Sequence, residues 1–256
     1  MSHIINEELI TTTSQLAFSD ALLRNAFRSF LSKDSDYKNQ YLQKCYNRAF
    51  DGYSYMGQAD SLNQYPSDML HTFVLSDFAG SFDFPIEFKD FFDLEWKKIK
   101  ELISTIELGI IEKIGDQNLR EFYKESVGHM VSCNYYPKVN NRSKNANDNK
   151  RLSDHSDVSL LTTFPFGVEE GLAYVQNDQS FIVGKKQNVF AFNGYLMQYI
   201  TAGKQTALMH HVELPNIDEE RYSFAFFSLV KPDAKIALQN TQVDALDYYR
   251  DYLNLF

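Results

Sequence analysis

The densest group of residues able to do chemistry is His155-Ser156-Asp157, which stands immediately before the apolar run 158–164. In a strand, residues i and i+2 face the same side, so the His155 imidazole and the Asp157 carboxylate can converge on one point. Two ligands do not hold an ion. The pair His210-His211 opens another apolar run and could supply the missing imidazole. Two neutral imidazoles and one carboxylate on one face suit a non-heme iron(II) centre, because they hold the metal and leave open positions. The chain has only two cysteines, Cys45 and Cys133, which disfavours structural zinc. An H-x-D on its own is a weak signal, so its weight depends on the elements around it.

Those elements change period part-way along the chain. The first half is helical in pattern. Leu22, Leu23, Ala26, Phe27, Phe30 and Leu31 share one face after Ser19, a candidate N-cap. Residues 51–68 are rich in turn formers. Residues 86–113 read as one long amphipathic helix with Phe92, Trp96, Ile99, Leu102 and Ile103 on its apolar stripe, ended by Gly115. A shorter helix over 118–126 leads to a period change near His129. Short apolar or alternating runs then follow at 130–136, 160–166, 172–176, 189–193, 208–214 and 222–229, punctuated by Gly, Asn and Asp, as in a sandwich or barrel of antiparallel strands. Residues 242–253 return to helical spacing, and 140–154 read as a long polar surface loop. With 256 residues, one domain is expected: a mostly helical part over 1–127, a β core over 128–230 and a C-terminal helix over 240–256.

The stretch HSDVSLLT resembles the H-T-D-x-G-x-L-T run of iron(II)- and 2-oxoglutarate-dependent dioxygenases of the isopenicillin N synthase-like family. NGYLMQYITAGKQTALMHHV is similar to that family's I-G-D-x-L-x-x-x-T-N-G-x-x-x-S-x-x-H-R-V, RYSFAFF to its R-x-S-x-x-F-F, and CNYYP to its L-N-Y-Y-P. GYSYMG and DMLHTF are similar to segments further upstream. The resemblance runs from about residue 19 to 229 and implies a mainly β protein with flanking helices around a double-stranded β-helix, or jelly roll. It also implies His155, Asp157 and His210 as the catalytic iron(II) ligands, with His211 at the family's arginine position. Ser159, Tyr195 and His211 depart from the pattern without touching the ligand set. Residues before Ser19 are too few for the family's usual N-terminal strands, so a shorter outer sheet and a more open mouth are expected.

Arg221 and Ser223 are i and i+2 in an expected strand, where a planar guanidinium and a hydroxyl can together grip a carboxylate. The resemblance assigns them to the distal carboxylate of 2-oxoglutarate and places Asn134 and Tyr136 in the same pocket. It implies 2-oxoglutarate as co-substrate with O2, and hydroxylation, desaturation or cyclisation of a small molecule such as an amino acid or a specialised-metabolite intermediate. The rival readings are an isopenicillin N synthase-like non-heme iron oxidase that does not use 2-oxoglutarate, and a non-catalytic jelly-roll binding protein. A net charge of −9 disfavours nucleic acid and anionic membranes as partners. No run approaches the roughly 18 apolar residues of a membrane span, the N-terminus does not read as a signal peptide, and cysteine usage fits a reducing compartment, so a cytoplasmic monomer is expected. Lys138, Arg142, Lys144, Lys150 and Arg151 make 138–154 basic within an acidic chain, which reads either as a solvated insertion with scattered charge or as a lid that attracts a carboxylate-bearing substrate.

Overall fold

The computed structural model describes residues 10–43, 50–62, 64–76, 78, 84–138, 150–215, 219–238 and 241–254. Cys45, His3, Arg142 and Lys144 lie outside the described residues, as does most of the basic segment.

Two antiparallel sheets face each other. The larger contains β1 (Ile10–Leu16), β2 (Gly52–Ser54), β3 (His71–Ser76), β4 (Val127–Tyr136), β6 (Leu161–Phe164), β9 (Asn188–Asn193) and β11 (Arg221–Val230), in the order β1-β9-β6-β11-β4-β3-β2. The smaller contains β5 (Lys150–His155), β7 (Leu172–Gln176), β8 (Gln179–Ile182) and β10 (His210–Glu213), in the order β5-β10-β7-β8. This interleaving of sequence-distant strands is the expected jelly roll, with the strands near the expected positions. Two expectations are corrected. β1 pairs with β9 at the sheet edge, so residues before Ser19 do supply an outer strand. The polar stretch expected to be loop up to residue 154 contains β5, because Leu152 packs inward beside Leu70, Tyr136 and Val212.

The helices cover the outer face of the large sheet. Asp20 holds the N-cap position of α1 (Ala21–Leu31), but its carboxylate is taken by Arg24 one turn on and makes no capping bond, and it is Ser19 Oγ that accepts from the Ala21 backbone N–H at 3.3 Å. α2 (Ser35–Asn39) is a short helix whose N-cap Asp34 accepts from the Tyr37 backbone N–H at 2.8 Å. The long helical segment begins with short 3-10, α and π turns over 86–96 before α3 (Lys97–Ile114), where Gly115 adopts φ 76° and ends it as expected. Between these helices and the sheet lies an aromatic-rich layer in which Phe30 meets Phe73 edge to face at 4.8 Å. α4 (Gln117–Ser126) leads straight into β4, and α6 (Ala245–Leu253) closes the open end of the sandwich after a short hairpin, β12 (Lys235–Leu238) and β13 (Thr241–Asp244).

One position on the apolar stripe of α3 is not apolar. Glu107 shares the stripe with Ile103 and Ile111 and is fully buried. Its carboxylate accepts hydrogen bonds from Tyr123 Oη (2.7 Å), Thr163 Oγ1 (2.8 Å) and Ser228 Oγ, and His129 Nε2 lies 3.3 Å away. The network pins β6 and β11 to the helix layer, since a buried carboxylate is tolerated only when its oxygens are satisfied. No helix among the described residues is long and apolar enough to cross a membrane.

Candidate metal centre and co-substrate pocket

The structure brings His155, Asp157 and His210 together. Their ligating atoms all lie within 4.8 Å of one another. His155 ends β5 and His210 begins β10, and the two are cross-strand partners in the smaller sheet, so their imidazoles share a face with ring centroids 4.3 Å apart. Asp157 gets there differently from the strand alternation expected. It lies beyond the end of β5, and the chain turns there to bring its Oδ1 to 3.4 Å from His155 Nε2 and 3.7 Å from His210 Nε2.

Each group is oriented from behind. His155 Nδ1 lies 2.8 Å from the Ser153 carbonyl and His210 Nδ1 lies 3.1 Å from the Leu208 carbonyl. A carbonyl can only accept, so each Nδ1 carries a proton; when a ring is neutral, its Nε2 is left as the free lone pair on the Asp157 side, the tautomer a metal ligand requires. Thr162 Oγ1 donates to Asp157 Oδ2 at 2.6 Å, which leaves Oδ1 as the oxygen facing both imidazoles. Burial would raise the Asp157 carboxyl, but the imidazoles of His210 and His155 and the Thr162 hydroxyl outweigh it and hold it below the ordinary carboxylate range. Burial pushes His210 down to about 4, whereas at His155 the hydrogen bond and charge of Asp157 overcome burial and raise it.

The loop that carries Asp157 is held on two further sides. Tyr195 and Leu196, at the start of α5 (Tyr195–Ile200), donate their backbone N–H groups to the Asp157 and Ser159 carbonyls at 2.6 and 3.0 Å. This approach requires Gly194, because a Cβ there would collide with the Ser159 carbonyl and hydroxyl oxygens. From α6, Tyr252 Oη donates to the Ser156 carbonyl at 2.6 Å and Tyr248 Oη to the Val158 carbonyl at 2.7 Å. These tyrosines, one helical turn apart, therefore grip the carbonyls on either side of the Asp157 residue. Sequence reading did not assign these supports. Thr162 ends the quoted HSDVSLLT run, and the four-residue spacing after Ile99 and Ile103 is the signal that could have found Glu107, but nothing local marks Tyr248 or Tyr252.

His211 is adjacent to His210 on its strand and so faces the other way; its Nδ1 lies 2.8 Å from Asp154 Oδ1, apart from the cluster.

A cavity of about 110 Å³ runs from the triad along the inner face of the large sheet. Arg221 and Ser223 line it, directly opposite Tyr136 and Asn134 in the β11–β4 register, so all four expected pocket residues share that face. Arg221 is buried, donates through Nε to the Glu170 carbonyl at 2.8 Å and lies over the Tyr136 ring with Cζ 5.0 Å from the centroid. Its Nη1 is buried with no hydrogen-bond partner among the described residues. Burial pulls the guanidinium below its usual pKa and lifts the Tyr136 phenol to about 12. A buried cation with an unsatisfied donor in a cavity needs an anionic acceptor, and a donor set of two imidazoles and one carboxylate with room on one side fits iron(II).

Residues 127–229, from β4 to β11, match the family described as the 2OG-Fe(II) oxygenase superfamily. No curated protein sequence matches the chain. Among solved structures, the chain is similar to a full-length Neurospora crassa protein in complex with alpha-KG, at 16% identity and TM-score 0.73 over 96% of this chain and 85% of that one. It is similar to a putative 2OG-Fe(II) oxygenase family protein from Caulobacter crescentus, at 18% identity and TM-score 0.71 over 92% and 85% of the two chains. It also resembles JOX2 in complex with 2OG, Fe and JA, at 19% identity and TM-score 0.72 over 95% and 77%. At these identities the likeness shows the fold, and it agrees with the match across the strands that carry the triad and Arg221. The family match therefore spans the jelly-roll core, residues 127–229, which carries the His155, Asp157 and His210 cluster and Arg221.

Proposed function

We propose that the protein is a 2-oxoglutarate-dependent non-heme iron dioxygenase that oxidises a small molecule, with His155, Asp157 and His210 as the iron(II) ligands. Arg221 and Ser223 anchor the distal carboxylate of 2-oxoglutarate, and Asn134 and Tyr136 flank it. The observation that carries this reading is the buried Arg221 Nη1, without a partner among the described residues, on a residue that lines the same cavity as a preoriented His-Asp-His cluster. When bound, iron(II) and 2-oxoglutarate together supply the activation of O2 needed to oxidise an unactivated C–H bond. The chain's own part is positioning and exclusion of water. Arg221 and Ser223 fix one end of the co-substrate, the Ser153 and Leu208 carbonyls fix the imidazole tautomers, and the apolar walls Leu172, Val212 and Ala225 keep water from the chelating end.

We read the protein further as a cytoplasmic monomer acting in specialised metabolism. A carboxylate on the substrate was expected from the basic segment. Of its cations, Arg151 is buried and donates to the Glu219 and Pro137 carbonyls, and Lys150 pairs with Asp154, so neither is free to meet an incoming anion. Among the described residues the lid idea is left with the exposed Lys138.

The deciding experiment is anaerobic addition of Fe(II) and then 2-oxoglutarate, following the weak visible charge-transfer band of the chelate. Wild type and His211→Ala should show the band and His210→Ala should not. A band that survives in His210→Ala and vanishes in His211→Ala would move the ligand by one residue, and no band in wild type would refute the reading.

A further inference from the structure

The cavity changes character along its length. Four cross-strand pairs of β4 and β11 pave it: Tyr136 opposite Arg221, Asn134 opposite Ser223, Ser132 opposite Ala225 and Met130 opposite Phe227. Successive pairs are two residues apart, so the strip extends about 20 Å at the usual rise per residue. Along it, a cation with a phenol gives way to an amide with a hydroxyl, then to a hydroxyl with a methyl, then to a thioether with a phenyl ring. β3 repeats the trend, with Thr72 opposite Asn134 and Val74 opposite Ser132.

At the apolar end, Phe50, Val158 and Tyr252 add walls from a loop, the ligand loop and α6, and they belong to one hydrophobic cluster with Val74, Met130 and Phe227. The polar atoms at this end are already committed. Tyr252 Oη donates to the Ser156 carbonyl, and Ser132 Oγ donates to Asn134 Oδ1 at 3.0 Å. Tyr252 therefore offers the cavity its ring rather than its hydroxyl. Leu62 lines the cavity as well and is partly exposed, so the approach is also apolar.

We propose that this end, at the opposite end of the β4–β11 strip from Arg221, is the substrate chamber and that it takes an uncharged ring or branched alkyl group. The inference rests on the assignment of the Arg221 end to 2-oxoglutarate. A charged group placed among Met130, Phe227, Phe50 and Val158 would lose its hydration, and among the described lining residues no opposite charge at this end replaces it beyond the metal ligands. An apolar group gains by leaving water there, and aromatic walls favour a planar ring.

The test uses three molecules with the same ring: benzyl alcohol (neutral), benzoate (anion) and benzylamine (cation). Each is added to the anaerobic Fe(II)- and 2-oxoglutarate-loaded protein while the chelate band is followed. In parallel, each is added to zinc- and 2-oxoglutarate-loaded protein carrying 13C-methyl methionine, with the Met130 signal assigned through Met130→Leu. Benzyl alcohol should shift both the band and the Met130 methyl signal, at least tenfold more tightly than either ion. Equal or tighter binding of benzoate or benzylamine overturns the inference, as does benzyl alcohol binding that leaves Met130 unmoved. Failure of the chelate band to form before any probe is added instead refutes the iron and 2-oxoglutarate reading, and this inference falls with it.

Discussion

Thr162→Val tests whether support of the carboxylate from behind sets metal affinity. The replacement is nearly isosteric and removes one hydroxyl, which donates to Asp157 Oδ2 at 2.6 Å and lies 2.8 Å from Ser159 Oγ. Asp157 is 7% exposed, so water cannot easily replace the lost donor. A hydrogen bond to a charged group contributes about 1.5–3 kcal/mol, equivalent to roughly 10–150-fold in an equilibrium constant. The Thr162 bond is also one of the interactions that hold the Asp157 carboxyl low, so its loss raises that pKa and lets protons compete better with the metal. Anaerobic calorimetric titration with Co(II) or Fe(II) should show affinity weakened by about 10–100-fold, the range typical of lost outer support at metal sites. The pH below which metal is released should also rise. Thr162→Ser restores the hydroxyl and should recover both. Urea unfolding of the metal-free variants separates loss of the site from loss of the fold. A folded Thr162→Val protein that binds Co(II) within about twofold of wild type would refute the reasoning.

Three other outcomes are expected. Arg221→Lys keeps the charge but loses the planar fork and the bond to the Glu170 carbonyl, so 2-oxoglutarate should bind more than tenfold more weakly in an anaerobic chelate titration, and an unchanged affinity removes Arg221 from the pocket. Glu107→Ala strips a shared acceptor from Tyr123, Thr163 and Ser228 in the buried layer and should cost about 3–5 kcal/mol in urea unfolding; a loss under 1 kcal/mol would mean that the network holds nothing. Burial pushes His71 from 6.5 down to about 4, below its value in the unfolded chain, so its neutral form supports the fold fully above about pH 6.5 and that support is lost as pH falls towards 4. The difference is worth at most about 3 kcal/mol, and His71→Gln should flatten the stability slope over that window; an identical slope would assign it to other groups.

Local pattern determined a good deal of this protein. The apolar stripe of residues 86–113, the stop at Gly115 and the period change near His129 follow from side-chain spacing and backbone preference, which need no distant partner. The i, i+2 pairing of Arg221 with Ser223, and of Asn134 with Tyr136, survives in the fold because strand alternation is itself local. The resemblance of HSDVSLLT and RYSFAFF to one family pointed to the jelly roll. Other features were decided by the tertiary structure. Asp157 converges with the histidines through a turn beyond β5, and that turn is held by Tyr252 from 96 residues away along the chain. Thr162 faces inward to the metal ligand while Thr163 faces outward to Glu107, 56 residues away, so one short strand transmits the helix layer's grip to the metal site. The orphaned Nη1 of Arg221 and the polarity gradient from Arg221 to Met130 exist only once β4, β11 and β3 are in register. Register and burial are set by which surfaces exclude water together, and that depends on the whole chain closing at once.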